Sequence, residues 1–189
     1  MIPRKLRIPA TVLVALAALA TCGCTPSDAS PPTSHAASPT PMSTPMFASD
    51  DEALKAATEV YRKLITTEFG MYPSGALDRA KIEPFATDAY LAESASRFKA
   101  FVDRGVHATG GVKVTKSSIQ SLRQSAGSTE VVIYACIDAS AFRVIDAAGA
   151  DITPGTRADL LSNVATLRGV GGASLKVEKS ELWSGQSVC

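Results

Sequence analysis

Glu130-Val131-Val132-Ile133-Tyr134-Ala135-Cys136-Ile137-Asp138 decides the fold. Between its two acids every side chain is apolar and several are β-branched, which predicts a central strand buried on both faces. Outward from it, Ser125-Ala126-Gly127-Ser128 makes a turn. Before that turn Val112 and Val114 alternate with Lys113 and Thr115, a period of two that runs on weakly to Leu122 and predicts a neighbouring strand. On the other side, residues 142–146 read as a third strand turned by Ala147-Ala148-Gly149. Residues 164–168 and 175–183 read as a hairpin across Gly169, Gly171 and Gly172.

N-terminal to Gly110-Gly111 the period is helical. Ser49-Asp50-Asp51-Glu52 has the spacing of a capping box, and its extra acids suit the positive end of a helix. Leu54, Ala57, Tyr61, Leu64 and Ile65 then recur on one face through Phe69, with Gly70 as the stop. Residues 71–75 form a loop, and a short helix or turn follows around 77–85. Thr87 or Asp88 can cap a further helix whose apolar side is Leu91, Ala95, Phe98 and Val102, ended at Gly105. Helices first and strands after predict an α+β domain.

The chain before residue 49 has a different character. Residues 1–23 read as a signal peptide: Arg4, Lys5 and Arg7 precede an uncharged apolar run over 8–20, which ends in small residues. That run is shorter than the roughly 20 residues a membrane-spanning helix needs. Leu19-Ala20-Thr21-Cys22-Gly23-Cys24 resembles the lipobox of bacterial lipoproteins, in which a small residue precedes a cysteine that is diacylated and becomes the new N-terminus. Cys22 has Leu19 three places before it but Thr21 adjacent; Cys24 has the small Gly23 adjacent. Cleavage before Cys24 also leaves Cys136 and Cys189 as an even pair in an oxidising compartment, so Cys24 is the expected lipidation site. Cleavage by an ordinary signal peptidase, with no lipid added, is the alternative. Residues 24–48, dominated by Pro, Ser, Thr and Ala with almost no charge, read as a disordered tether holding a domain over 49–189 off the bilayer. His35 falls within that spacer.

A net charge of +1 with both signs interspersed leaves no electrostatic footprint for nucleic acid. Two histidines, one of them in the tether, and two cysteines expected to pair provide no metal-ligand cluster. The glycine pairs do not have the pattern of a phosphate cradle, and no Gly-x-Ser-x-Gly elbow occurs. No cofactor is expected.

The order helix, short helix, helix, then antiparallel strands resembles the cone-shaped fold of the nuclear transport factor 2-like superfamily. More narrowly, it is similar to the small secreted lipoproteins of high-GC Gram-positive bacteria. The residues that carry this are Tyr134-Ala135-Cys136-Ile137-Asp138, the turn region over 146–149, and Trp183 near Cys189. The resemblance implies N-terminal helices packed on a curved antiparallel sheet of four to six strands. It also implies a Cys136–Cys189 bridge stapling the chain end to the sheet, and homodimer formation through the sheet face.

Enzymes of this superfamily place an Asp/His pair or a Tyr with a protonated Asp in the cone's mouth. Here His107 would need a carboxylate partner such as Asp103; Asp138 can cap a turn beside Ser140, and Asp146 and Asp151 flank a hairpin turn. None of these assembles a catalytic set. Tyr61, Phe98, Phe101, Tyr134 and Trp183 are the residues the resemblance would place around a cone pocket. The expectation is therefore a non-enzymatic cell-envelope lipoprotein that binds a protein partner or a small apolar ligand. An envelope enzyme of the isomerase or cyclase type is the alternative. A polar pair at the bottom of an apolar cavity would favour the enzyme.

Overall fold

The computed structural model describes residues 45–170 and 173–189. The expected signal peptide, Cys22, Cys24, His35 and the expected tether up to residue 44 lie outside the described residues. Three α-helices, α1 (Asp50–Phe69), α2 (Arg79–Ile82) and α3 (Asp88–Val102), precede the strands β1 (His107–Thr109), β2 (Lys113–Ser125), β3 (Ser128–Asp138), β4 (Arg143–Ile145), β5 (Leu160–Val170) and β6 (Lys176–Leu182). The four long strands form one antiparallel sheet in the order β2-β3-β5-β6, and β1 and β4 pair separately. This is the α+β cone that the resemblance implies, with helices on one face of a curved sheet.

The first helix starts where expected. The Ser49 hydroxyl accepts from the Glu52 N–H at 3.2 Å, while the Glu52 carboxylate accepts from the Ala48 N–H at 2.8 Å, one residue earlier than a standard capping box. Ala53, Ala57, Tyr61, Leu64 and Ile65 are buried along it, and so is Glu68. Just outside the helix, the Gln124 side chain accepts from the Phe47 N–H and donates to the Phe47 carbonyl, each at 2.9 Å. This pair of bonds pins the entry of the chain to β2.

Three expectations need correction. The buried face of α3 is Tyr90, Leu91, Ser94 and Phe98, whereas Ala95 is exposed and Val102 is 39% exposed. The hydroxyls of Tyr90 and Ser94 find a partner inside, so burying them costs less than hydrophobicity alone suggests. Next, β3 is not buried equally on both faces. Thr129, Val131, Ile133, Ala135 and Ile137 are buried toward the helices, while Val132 and Tyr134 on the opposite face are half-buried. Finally, residues 142–146 do not join the main sheet. Phe142 enters the core, and β4 pairs with β1 beside a turn held by Asp146, whose carboxylate accepts from the N–H groups of Ala148 and Ala150.

Gly110 sits at φ +71, where a Cβ would lie 1.9 Å from the Ala141 carbonyl oxygen. Glycine is required at that close approach of the β1 end to the segment before β4.

Candidate functional site

A cavity of about 370 Å³ opens between the inner face of the sheet, the C-terminal end of α1 and the Tyr90–Arg97 stretch of α3. Its parts follow from strand parity. Ile137 of β3 pairs with Leu161 of β5, Ala135 pairs with Asn163, and Leu182 of β6 pairs with Asn163 from the other side, so these side chains share the face turned to the helices. Ile65 and Phe69 from α1, Tyr72 from the turn after it, and Phe142 complete the apolar wall. Phe69, Tyr72 and Phe142 pack with centroids 5.4 to 5.9 Å apart, two of the three contacts edge-on.

One side of the cavity is polar. Among the described residues Glu68 is the one buried charged side chain, 2% exposed. Its carboxylate accepts from the Tyr90 hydroxyl at 2.6 Å, from the Ser94 hydroxyl at 2.6 Å and from Arg97 Nη2 at 3.2 Å. Arg97 also pairs with Glu93 one helical turn earlier, and its guanidinium lies 5.3 Å from the centre of the Tyr90 ring. Burial works against the charge on Arg97, but Glu68 and Tyr90 outweigh it, and the guanidinium holds its proton more tightly than usual. Burial and the neighbouring Glu68 charge push the Tyr90 phenol far above the normal tyrosine range.

A second polar cluster lies deeper. The hydroxyls of Tyr61 and Ser180 are 2.8 Å apart, and Asn163 Nδ2 donates to Ser180 Oγ at 3.3 Å. Burial raises the Tyr61 pKa to about 12, against the opposing effect of its bond to Ser180. Asn163 Oδ1, which is buried, has no hydrogen-bond partner. Neither has Arg157 Nε, although Arg157 Nη2 donates to the Ala139 carbonyl at 2.9 Å.

Polar groups inside an apolar cavity are what the enzyme alternative calls for, yet their geometry supports binding better than proton transfer. Three donors already occupy the Glu68 carboxylate, so it offers a substrate no free base in this geometry. The Tyr90 proton is committed to Glu68, and its raised pKa makes the phenol a poor acid.

Three buried tyrosines, Tyr61, Tyr72 and Tyr90, make the fold sensitive to alkali, each with its pKa raised chiefly by burial. A phenol whose folded-state pKa lies above its unfolded value near 10 contributes stability that is intact below pH 10 and is lost as pH rises through the folded value. For Tyr61 that window is pH 10 to about 12 and the loss is about 3 kcal/mol; Tyr72 and Tyr90 add in the same direction. Urea midpoints should fall across that range, and the tyrosinate absorbance of these residues should appear together with unfolding. Full tyrosine ionisation in a still-folded chain would contradict this.

None of the five residues expected around the pocket forms its wall, although the Tyr61 hydroxyl meets the lining residue Ser180 at its deep end. Tyr61 and Phe98 belong to the core; Phe98 packs 4.7 Å from Tyr72, and half-buried Phe101 meets Tyr72 edge-on at 4.9 Å. Tyr134 and Trp183 lie 5.0 Å apart on the opposite face of the sheet, because position 134 has the other parity from Ile133 and Ala135. Cys136 shares that outer face and is joined to Cys189 by a disulfide, with Cα atoms 5.0 Å apart.

The acid and base candidates do not converge. His107 is exposed at the start of β1, and the Asp103 carboxylate pairs with Lys99 at 2.6 Å. The Ser140 hydroxyl and then its N–H hold the Asp138 carboxyl pKa down, and the Thr153 hydroxyl and then its N–H do the same for Asp151; with Asp146 they hold turns.

Glu68, Tyr90, Ser94 and Arg97 are absent from the sequence expectations, yet a signal exists. Glu68 lies seven residues after Tyr61 and three after Ile65, on the apolar stripe of α1, and Tyr90, Ser94 and Arg97 recur at helical spacing on α3. A charge on a buried stripe asks for partners on the facing element.

The sequence matches no family model and no curated protein. Among solved structures, the intermembrane space region of the chloroplast protein ARC6 is similar with a TM-score of 0.50 at 12% identity, covering 70% of this chain and 97% of that one. CagV, a VirB8 homolog of Helicobacter pylori, aligns with a TM-score of 0.37 at 9% identity over 70% of this chain and 99% of its own. Aln2 from a Streptomyces species gives 0.37 at 15% identity over 68% and 87%. The latter two share too little geometry to bear on this chain, and at 12% identity the ARC6 likeness shows the fold alone.

Proposed function

We propose that this chain is a lipid-anchored module of the cell envelope that binds a small, mainly apolar ligand in the cavity between α1, α3 and the sheet and performs no chemistry on it. The observation that carries this reading is the pairing of an apolar wall with a buried carboxylate already satisfied by Tyr90, Ser94 and Arg97. Such a site offers desolvation and a polar landmark without a poised acid or base. The anchor is the acylated Cys24. Among the described residues no helix is long and apolar enough to cross a membrane, so the lipid would supply the attachment.

The ligand is tested by displacement of a neutral, environment-sensitive dye. The wild-type domain takes up the dye and a medium-chain apolar competitor displaces it. Leu161→Trp, which fills the cavity from β5, should weaken dye binding at least about tenfold, since an apolar side chain in a ligand's place removes one to a few kcal/mol of burial. No dye uptake by wild type, or equal binding by the variant, refutes the cavity as the site. For the anchor, metabolic lipid labelling in an envelope-exporting host should disappear in Cys24→Ala and persist in Cys22→Ala. Label lost only in Cys22→Ala would move the anchor to Cys22, and no label in wild type would mean a freely secreted protein.

A further inference from the structure

One polar group in the cavity wall is neither spent nor sealed in, and it bears on the ligand, on the premise that the cavity is the binding site proposed above. Tyr72 stands in the turn after α1, 8% exposed, and lines the cavity. Its ring is fixed among Phe69, Phe98, Phe101 and Phe142, with centroids 4.7 to 5.9 Å away. The Tyr61 and Tyr90 hydroxyls are bonded to Ser180 and Glu68, but the Tyr72 hydroxyl has no hydrogen-bond partner among the described residues. It feels the charges of both Glu68 and Arg97, which puts it on the side of the cavity where those two stand. Asn163 Oδ1 and Arg157 Nε lack partners as well, yet both are closed off from a ligand, whereas the Tyr72 hydroxyl keeps an accessible face. A hydroxyl held in an apolar wall without a partner costs free energy that a ligand atom placed on it would recover.

The surroundings say what that atom is. Burial, and then the Glu68 charge, hold the Tyr72 phenol above its ordinary pKa, so at neutral pH it keeps its proton and donates. Glu68 raises it more than Arg97 lowers it, so the local field is negative and works against an anion. A cation gains little either. The Glu68 carboxylate is 2% exposed and carries three donors, and Glu93 is paired with Arg97. What remains is a single neutral donor beside an apolar wall. We infer that the cavity takes an uncharged apolar molecule with one acceptor oxygen, such as a medium-chain alcohol, its oxygen on the Tyr72 hydroxyl and its hydrocarbon body against Ile65, Ile137 and Leu161.

The test uses octanol, octane and octanoate as competitors for the neutral dye on the full chain, in wild type and in Tyr72→Phe. Phenylalanine keeps the packing of the ring and leaves no protein group unpaired. It should weaken octanol about fivefold, the ordinary worth of one neutral hydrogen bond, and leave octane unchanged. In wild type at neutral pH, octanoate should bind at least about tenfold more weakly than octanol, because its charge is buried without a counter-ion. Should the variant fail to fold, wild type carrying tyrosine labelled at Cζ decides, since octanol and not octane should shift the Tyr72 resonance. Octanol affinity unchanged in Tyr72→Phe, octanol and octane weakened equally, or a Tyr72 resonance unmoved at octanol saturation overturns the assignment while leaving the apolar cavity intact. Octanoate binding as tightly as octanol overturns the uncharged ligand. Failure of all three to displace the dye, in a protein that also binds no dye, overturns the cavity reading itself.

Discussion

Replacing Glu68 with leucine should cost the fold about 3 kcal/mol, although it exchanges a buried charge for a side chain of core chemistry. The loss comes from the partners. Tyr90 and Ser94 each donate to the carboxylate at 2.6 Å inside the protein, and each hydroxyl left without an acceptor costs about 1–3 kcal/mol. Arg97 softens the penalty, because its side chain is 39% exposed and can turn to water and Glu93. Glu68→Gln keeps an acceptor oxygen in place and should cost less than half as much. Urea unfolding with an unchanged slope measures both. A leucine variant within 0.5 kcal/mol of wild type, a margin on the order of an exposed surface change, would mean the cluster is not an organising element of the domain.

The second large effect is at the other face of the sheet. Cys136 and Cys189 are 53 residues apart, and closing a loop of that size removes unfolded-state entropy worth about 4 kcal/mol. Replacing both cysteines with alanine should lower the unfolding free energy by roughly that amount. Little else ties the chain end down. Ser162 Oγ accepts from the Val188 N–H at 3.1 Å and lies 3.2 Å from the Ser187 hydroxyl, both weak surface contacts. Trp183, the only tryptophan, rests on Tyr134 and donates to the Gln186 carbonyl at 3.0 Å, so its emission should move to longer wavelength as the tail frees. An unchanged urea midpoint on reduction would contradict this account.

What could be read in advance, and what could not, follows from the range of the interactions involved. The cap at Ser49, the turn at Ala126-Gly127 and the run at 130–138 are set by local chemistry, and each stands where the sequence predicts. The strand at 142–146 was legible as extended chain but not as part of a separate two-stranded pair, since its partner is His107–Thr109, some 35 residues earlier in sequence, and no local pattern names a partner at that distance. The aromatic residues misled for a related reason. Tyr134 sits in an apolar run where both parities look alike, so hydrophobicity did not say which face it takes; the disulfide and tail that cover the outer face made both acceptable. Glu68 was invisible to a search for clusters close in sequence because its partners are 22, 26 and 29 residues away on another helix.

The most direct test of the ligand cavity is a methyl-resolved NMR titration of the folded domain with octanol. The account predicts saturable shifts at Ile65, Val112, Ile137, Leu161 and Leu182, which line the cavity, and none at Val132 or Val164 on the outer face. Shifts at the outer-face methyls alone, or no saturable shift anywhere, would contradict it.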